Sequence, residues 1–318
     1  MSGMRYRPVG RSGLVVSAVG LGCNNFGGRL DLEATRAVVD AALEVGITLF
    51  DTADIYGGAR SEEILGEALA GRRDRVVLAT KFGMDMAGRN GEDLGARGSR
   101  RYIARSVESS LRRLGTDWID LYQYHVPDGI TPVEETLSAL DELVIQGKVR
   151  YLGSSNFAAW QVADADWVAR TAHQNRFISA QNNYSLLDRR IESELVPACL
   201  RFGVGILPYF PLANGLLSGK YERGKSPPAG SRLGGRPGAL DERSFERLAP
   251  IQDLAEALGR TLLEVAVAGL AAQPAVASVI AGATTPQQVR ANAAAGAWVL
   301  TPDELAALDR AARSRRPA

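Results

Sequence analysis

Four residues that can move or stabilise a proton follow short apolar runs of the chain. Asp51 ends one such run, and Tyr56 lies five residues further on, in a glycine-containing loop. Lys81 and His125 end two further runs. An ammonium group held by a carboxylate can stabilise a phenolate and lower the pKa of a nearby tyrosine, which is otherwise about 10. These residue types therefore predict a proton donor, with a histidine placed to hydrogen-bond the acceptor oxygen.

Such a site donates a proton but contains no source of electrons. A carbonyl reduction at this site would therefore need a hydride carrier, which indicates a bound nicotinamide. Taken singly, Asp51 and Lys81 would be interpreted as a structural ion pair, and His125 as a structural histidine. Because polar residues at the carboxyl ends of barrel strands converge on one mouth, the four together favour the functional interpretation.

The composition bounds the class of protein. The chain has 318 residues, of which 46% are hydrophobic and 23% charged, with a formal net charge of +1. This balance does not suit a nucleic-acid or membrane-surface binder, and no run reaches the roughly 18 apolar residues of a membrane span. Two cysteines and two histidines are too few for a disulfide framework or a histidine-rich metal site. We therefore expect a cytoplasmic protein with no metal site and no nucleic-acid or membrane partner.

Short aliphatic runs alternate with helical patterns along the chain. The runs lie at 18–22, 47–50, 75–80, 118–123, 148–153, 177–181, 203–207 and 276–280. The helical patterns lie at 32–45, 60–70, 99–114, 131–146, 157–170, 190–202, 244–258, 261–272 and 286–296. Eight such units predict an α/β protein with a (β/α)8 TIM barrel, in one domain over 1–318. We also expect an N-terminal β-hairpin and long glycine-rich loops after the third and seventh strands, at 82–98 and 218–243.

Local signals set several helix ends. Ser99 is a predicted N-cap, and Gly115 is predicted to end the same helix. Thr131 is predicted to cap the next helix, with Pro132 in its first turn. Pro250 predicts a kink or a later start in the 244–258 helix.

The site residues lie inside longer strings that, taken in order, resemble the aldo-keto reductase family. The strings cover 20–23, 50–57, 79–82, 120–128, 148–157, 209–221 and 282–292. The closest likeness is to the branch with bacterial aldo/keto reductases, sugar dehydrogenases and potassium-channel β-subunits. The resemblance implies a barrel that binds NADPH/NADP+ across its mouth, and the chain has no strand-associated G-x-G-x-x-G fingerprint of a dinucleotide-binding sheet.

The resemblance also implies roles for individual residues. Tyr56 would be the general acid, Lys81 and Asp51 its tuning pair, and His125 the residue that orients the carbonyl. The implied cofactor-binding set is Gly22, Cys23, Asp51, Ser155, Asn156, Gln181, Tyr209, Pro211, Leu212, Leu217, Gly219, Lys220, Arg232, Gly282, Thr284, Gln288 and Asn292.

The cofactor-binding set divides by the part of NADPH that each residue would hold. Ser155, Asn156 and Gln181 match positions that hold the nicotinamide carboxamide, and Tyr209 matches the residue stacked on the nicotinamide ring. The segment that ends at Lys220 would lie over the pyrophosphate. The turn at 282–292 would receive the 2′-phosphate, with Thr284 and Arg290 as its expected partners.

Three residues depart from the family pattern. Phe210 stands where many relatives have a serine that can bond a phosphate. Ala291 replaces a common glutamate near the adenine amino group, and Ala281 replaces a common proline before the turn. These departures predict weakened or retuned cofactor binding.

The substrate pocket is expected to be aromatic and without a carboxylate clamp, which suits uncharged aldehydes, ketones or sugars. Its expected residues are Phe26, Tyr56, Phe82 and His125, with Trp160, Met84 and Met86 as further candidates. Two alternatives stay open: the same residues could oxidise a sugar as an aldose dehydrogenase, or the protein could be a non-catalytic NADP(H)-binding sensor or accessory subunit. A metal-dependent barrel lyase or isomerase is disfavoured, since the strand ends offer too few ligands. The sequence leaves a homo-oligomer open.

Overall fold

Eight parallel strands form the centre of the structure, a computed structural model that describes residues 3–228, 231–234 and 240–314. After the hairpin strands β1 (Tyr6–Pro8) and β2 (Val15–Ser17), they are β3 (Val19–Gly22), β4 (Leu49–Asp51), β5 (Val77–Phe82), β6 (Ile119–Tyr124), β7 (Val149–Ser155), β8 (Phe177–Gln181), β9 (Gly205–Ile206) and β10 (Val279–Gly282). The order in the sheet is β10-β3-β4-β5-β6-β7-β8-β9. The amide of Ala277 donates to the carbonyl of Ile206 at 2.9 Å, which joins β9 to the segment before β10. The predicted (β/α)8 TIM barrel and N-terminal hairpin are confirmed.

Helices cover the outside of this barrel. They are α1 (Leu32–Glu44), α2 (Arg60–Ala68), α3 (Arg100–Leu114), α4 (Val133–Ile145), α5 (Ala159–Thr171), α6 (Leu195–Phe202), α7 (Glu242–Ala257), α8 (Leu262–Ala271), α9 (Pro286–Ala295) and α10 (Pro302–Arg313). The main apolar core lies between the strands and these helices. Over the described part of the chain, no helix is both long and apolar enough to cross a membrane.

Helix ends test the local predictions. The Ser99 hydroxyl accepts a hydrogen bond from the backbone N–H of Tyr102, and Gly115 ends α3 with φ 60°, so both predictions there are confirmed. The predicted Thr131 cap is wrong, because α4 begins at Val133 with Pro132 in the N-cap position. Of the kink or later start predicted at Pro250, the later start is wrong, because α7 begins at Glu242 and runs through the proline.

The barrel interior changes from apolar to polar along the strands. The apolar layer lies at the amino end of the barrel, which the hairpin closes. It contains Val9, Leu14, Val16, Leu49, Ala79, Leu121, Leu207, Ala277 and Ile280. Side chains two residues apart on a strand point to the same face. One step of two along β4, β5 and β6 therefore leads from this layer to Asp51, Lys81 and Gln123, all of which are buried. The fold thus places a polar layer at the carboxyl end of the barrel.

Candidate active site

A buried ammonium group lies at the centre of the polar layer. Lys81 Nζ donates to Asp51 Oδ2 at 2.7 Å and to the backbone carbonyl of Thr52 at 2.7 Å. It also donates to the hydroxyl of Tyr56 at 3.4 Å and lies 5.0 Å from the centre of that ring. The structure therefore brings together the three residues that the sequence predicted as acid and tuning pair.

The charges around Tyr56 act in opposite directions. Burial raises the pKa of Tyr56, Lys81 lowers it, Asp51 raises it, and the net direction is upward. Lys81 therefore acts on the pKa of Tyr56 in the predicted direction, but desolvation of the buried phenol outweighs the ammonium. Burial lowers the pKa of Lys81, but Asp51 and Tyr56 more than offset this and raise it overall. The Tyr56 phenol therefore keeps its proton at neutral pH and lies beside an ammonium. It is the phenol that can donate this proton to a substrate.

His125 faces Tyr56 across the site. The two ring centres are 6.1 Å apart in an edge-to-face arrangement. Burial, and then the charge of Lys81, lower the pKa of His125 to about 3. The imidazole is therefore neutral at physiological pH, so it can hydrogen-bond an oxygen without adding charge to the site. Its backbone carbonyl accepts from Asn156 Nδ2 at 3.0 Å, which ties β6 to the end of β7.

Two side-chain amides occupy the other oxygen of Asp51. Gln123 Nε2 and Gln181 Nε2 donate to Asp51 Oδ1 at 3.0 and 2.9 Å. Gln181 Nε2 also donates to Gln123 Oε1 at 3.2 Å. Sequence reasoning missed Gln123, although a polar residue two positions before His125 in an apolar strand was a usable signal.

A cavity of about 820 Å³ extends from these residues across the barrel mouth. Of the predicted cofactor-binding set, it is lined by Gly22, Asp51, Asn156, Gln181, Tyr209, Pro211, Leu212, Lys220, Arg232, Gly282, Thr284, Gln288 and Asn292. Tyr56, His125 and Met84 of the expected substrate residues also line it. Its volume falls within the range of small-molecule sites, and its length joins the proton-donating end to the start of α9.

Other predicted residues lie elsewhere. Phe82 is fully buried and stacks on Tyr122 and Tyr124, with ring centres 4.8 and 5.0 Å apart, so it packs between strand and helices. Its place follows from strand alternation, because Lys81 beside it points inward. The remaining candidates do not line the cavity. Trp160 is 68% exposed. The others are Gly219 and the buried Phe26, Met86, Cys23, Ser155 and Leu217.

Two predicted residues have partners that define what they can do. Ser155 Oγ donates to the carbonyl of Gln181 at 2.9 Å, so it supports the end of β8 from beneath. Burial raises the pKa of the Cys23 thiol well above its usual range, and its Sγ contacts the carbonyl of Leu21. The thiol is therefore a packing group rather than a nucleophile.

Aromatic and cationic side chains line the cavity beyond Gln181. The Tyr209 hydroxyl donates to Asn156 Oδ1 at 2.7 Å, which fixes its ring at the cavity wall. Arg232 lies over the ring of Phe210, with 5.0 Å from its guanidinium carbon to the ring centre. Phe210, which departs from the family pattern, thus supports an arginine.

Lys220 lies on the same wall, with the end of its side chain close to Gly215. Gly215 has φ 99°, and a Cβ there would lie 2.8 Å from Lys220 Nζ. Arg290 points away, because its guanidinium pairs with Glu44 at 2.7 Å. The expectation that Arg290 contacts a phosphate is therefore not supported by its position.

Sequence reasoning also missed polar residues at the near wall. Asn24, Asn25 and Arg29 follow β3 and line the cavity. Asn25 Nδ2 donates to the carbonyl of Ala283 at 3.3 Å, which joins the loop after β3 to the turn before α9. Their position directly after the apolar run that forms β3 is the sequence signal that could have identified them. Among the described residues, no group of three or more histidine, cysteine or acidic side chains is placed to hold a metal ion.

Comparison with known proteins places this site in a family. Residues 18–313 match the model of the Aldo/keto reductase family. An uncharacterized oxidoreductase of Bacillus subtilis (strain 168) is 39% identical, covering 90% of this chain and 89% of that protein. A probable voltage-gated potassium channel subunit beta of Oryza sativa subsp. japonica is 36% identical over 91% and 90%, and the versiconal hemiacetal acetate reductase of Aspergillus parasiticus is 34% identical over 96% of both. The chain therefore belongs to the aldo/keto reductase family of oxidoreductases.

Proposed function

We propose that the protein is an NADP(H)-dependent oxidoreductase that reduces aldehydes or ketones to alcohols, with Tyr56 as the general acid. The observation that carries the proposal is the Tyr56 hydroxyl, 3.4 Å from the buried Lys81 ammonium and facing the long cavity. Lys81 is in turn held by Asp51 at 2.7 Å. A phenol next to a fixed ammonium can give up its proton to a developing alkoxide, since the phenolate that remains is stabilised.

The cavity residues fit a nicotinamide dinucleotide. A reduced nicotinamide would supply the hydride when bound. Gln181 and Asn156 offer amide groups for the carboxamide, and Tyr209 offers a ring face. Lys220 and Arg232 bring positive charge to the part of the cavity beyond them, where phosphates would lie. The glycine that makes room for Lys220 supports this fit.

Each residue near Tyr56 has a defined part in moving the proton. Tyr56 gives its phenolic proton to the carbonyl oxygen, and Lys81 stabilises the phenolate that remains. Neutral His125 hydrogen-bonds the same oxygen and keeps it within reach of Tyr56. Asp51 holds the ammonium in place at 2.7 Å.

The substrate would be an uncharged carbonyl compound. Met84 and His125 border the cavity near Tyr56, and neither carries a charge at neutral pH. The name of the Aspergillus parasiticus relative, a reductase, agrees with the reductive direction. Oxidation of a sugar hydroxyl would use the same residues in reverse, with Tyr56 accepting the proton.

The first test combines binding with turnover. Purified protein is titrated with NADPH and NADH by fluorescence, and then given a panel of aldehydes, ketones and sugars in both directions. We expect tighter binding of NADPH and its oxidation by a carbonyl compound. Tyr56→Phe should keep the NADPH affinity and lose about 10²-fold or more in kcat, because only the proton donor is removed. The control is Tyr6→Phe, which removes a hydroxyl bonded to Gly46 at the opposite end of the barrel.

Two results would contradict the proposal. Wild-type turnover by Tyr56→Phe would exclude Tyr56 as the acid. NADPH binding without turnover in either direction would favour a non-catalytic sensor or accessory subunit.

A further inference from the structure

We propose that Gln123 is a positioning residue that couples the nicotinamide-carboxamide end of the site, at Gln181, to the Asp51–Lys81 pair beside Tyr56. The inference deepens the proposed function and rests on it for the identity of the cofactor. Gln123 is fully buried and does not line the cavity, so it would act only through its neighbours.

The two oxygens of Asp51 have separate partners. Oδ2 accepts from Lys81 Nζ at 2.7 Å, whereas Oδ1 accepts from both glutamine amides, Gln123 at 3.0 Å and Gln181 at 2.9 Å. A change at Gln181 therefore reaches the Lys81 ammonium through one carboxylate. Gln123 shares the oxygen with Gln181, so it limits how far Gln181 can turn.

The network also fixes which atom Gln181 presents to a ligand. An ionised carboxylate only accepts hydrogen bonds, so the NH2 of each amide must face Asp51. Gln181 Nε2 is further bound by Gln123 Oε1 at 3.2 Å. Gln181 Oε1 is then the atom left to accept an N–H from a nicotinamide carboxamide at the cavity surface. Without Gln123, the Gln181 amide keeps Asp51 Oδ1 as an acceptor but loses the second acceptor that restricts its rotation.

The neighbouring strand makes room for this arrangement. Gly153 on β7 lies opposite Gln123 in the β6–β7 register. A Cβ at Gly153 would lie 2.9 Å from Gln123 Cγ and 2.3 Å from Ser179 Oγ. A glycine at this position therefore allows the Gln123 side chain to lie across the barrel towards Asp51 and Gln181.

The proposed coupling predicts how binding of the carboxamide changes the acidity of Tyr56. When Gln181 Oε1 accepts a hydrogen bond, the amide polarises and its N–H donates more strongly to Asp51. This offsets part of the negative charge of Asp51, which by itself opposes loss of the Tyr56 proton. Binding of the carboxamide would thus make Tyr56 a better proton donor, and Gln123 keeps the geometry in which this occurs.

The test uses two cofactors that differ only at the carboxamide. NADP+ carries an N–H for Gln181 Oε1, and the 3-acetylpyridine analogue of NADP+ has a methyl group in its place. The Kd of each is measured by fluorescence for wild type and for Gln123→Met, which keeps the length of the side chain and removes its amide. Wild type should prefer NADP+ about tenfold, and Gln123→Met should reduce this ratio to about twofold, a non-additive effect that marks coupling.

A matched variant separates coupling from general damage. Gln273→Met removes another buried glutamine, whose Nε2 donates to Asp309 at 3.2 Å outside the site, so it should lower Tm without changing the Kd ratio. An unchanged ratio in Gln123→Met, with NADP+ still bound, would refute the coupling alone. A wild type that does not bind NADP+ would refute the proposed function and the coupling with it.

Discussion

Two aspartates three positions apart in the chain lie in opposite surroundings. Asp51 accepts from an ammonium and two amides, as described above. Asp54 is fully buried beside Glu62, and its Oδ2 accepts from Asn90 Nδ2 at 3.0 Å while its Oδ1 has no partner among the described residues. Burial, and then the charge of Glu62, raise the pKa of Asp54 to about 8. Asp54 is therefore a protonated acid at neutral pH. It is not one of the residues assigned to proton transfer, which are Tyr56, Lys81, Asp51 and His125.

At the residue scale, this predicts that Asp54→Asn stabilises the protein near neutral pH. The native carboxyl group keeps its proton up to a pH of about 8, whereas an unfolded aspartate loses it near ~4. Between these values the unfolded chain binds fewer protons, so the free energy of unfolding of wild type falls as pH rises. The amide has no proton to lose, so we expect a gain on the order of 4 kcal/mol at pH 7, or several degrees in Tm.

Thermal unfolding between pH 4 and pH 8 checks this. The Tm of Asp54→Asn should vary less with pH than that of wild type, and the two curves should converge towards pH 4. Asp164→Asn, at an exposed position on α5, controls for the loss of a charge. Parallel curves for wild type and Asp54→Asn would show that Asp54 is ionised in the native protein.

At the scale of elements, Asn90 joins three segments. It is a buried residue in the loop between β5 and α3, placed between two glycines with positive φ, Gly88 and Gly91. Its Nδ2 donates to Asp54 on the loop after β4, and its Oδ1 accepts from Arg113 on α3 at 3.2 Å. The same loop carries Met84 to the cavity. The loop therefore has an anchored middle, although its composition suggests flexibility.

Asn90→Ala should release this loop. It leaves the buried Asp54 and the half-buried Arg113 each with one hydrogen bond fewer, so we expect a loss of about 1–3 kcal/mol in the free energy of unfolding. The KM for the carbonyl substrate should rise several-fold while the Kd for NADPH stays the same, because Met84 is the loop's contact with the cavity. Asn175→Ala, whose exposed side chain bonds Asp141 at 2.8 Å, is the control. A higher NADPH Kd with an unchanged KM would place the loop's effect on the cofactor instead.

Elements with strong local signals were predictable from the sequence. The run that ends at Lys81 gave β5, and strand alternation could also have placed Phe82 outside the barrel. Helix α10 was missed although Thr301 and Glu304 form a capping box, because only Leu308 in it is fully buried and the apolar pattern is weak.

The amide network was not predictable in this way. Gln123 and Gln181 meet Asp51 from 72 and 130 residues away, so only the closed barrel brings them together. The same holds for Arg290, whose partner Glu44 lies 246 residues away, on the helix packed beside α9. Family resemblance gave the residue types at the mouth but not these pairings.

At the scale of the whole molecule, the two ends of the barrel have different tasks. The hairpin and the apolar layer close the amino end, while the polar layer and the cavity occupy the carboxyl end. The net charge is only +1, yet Arg29, Lys220 and Arg232 all line the cavity. Asp51 is the acidic residue among the described cavity-lining residues, and its charge is matched by Lys81. The cavity is therefore suited to an anionic ligand within a nearly neutral protein.

Because the cationic residues lie in the cavity, their position in the molecule should determine how the affinity for NADPH depends on salt. Lys220→Gln should raise the NADPH Kd roughly tenfold at low salt, because an ammonium on the cavity wall attracts the phosphates. The difference from wild type should shrink as added salt screens the charge. Lys148→Gln is the matched control, since its ammonium pairs with Glu108 at the amino end of β7 and should leave the Kd unchanged at every salt concentration. Equal effects of the two variants would mean that net charge, rather than the position of Lys220, governs affinity, and the phosphates would then have to lie elsewhere in the cavity.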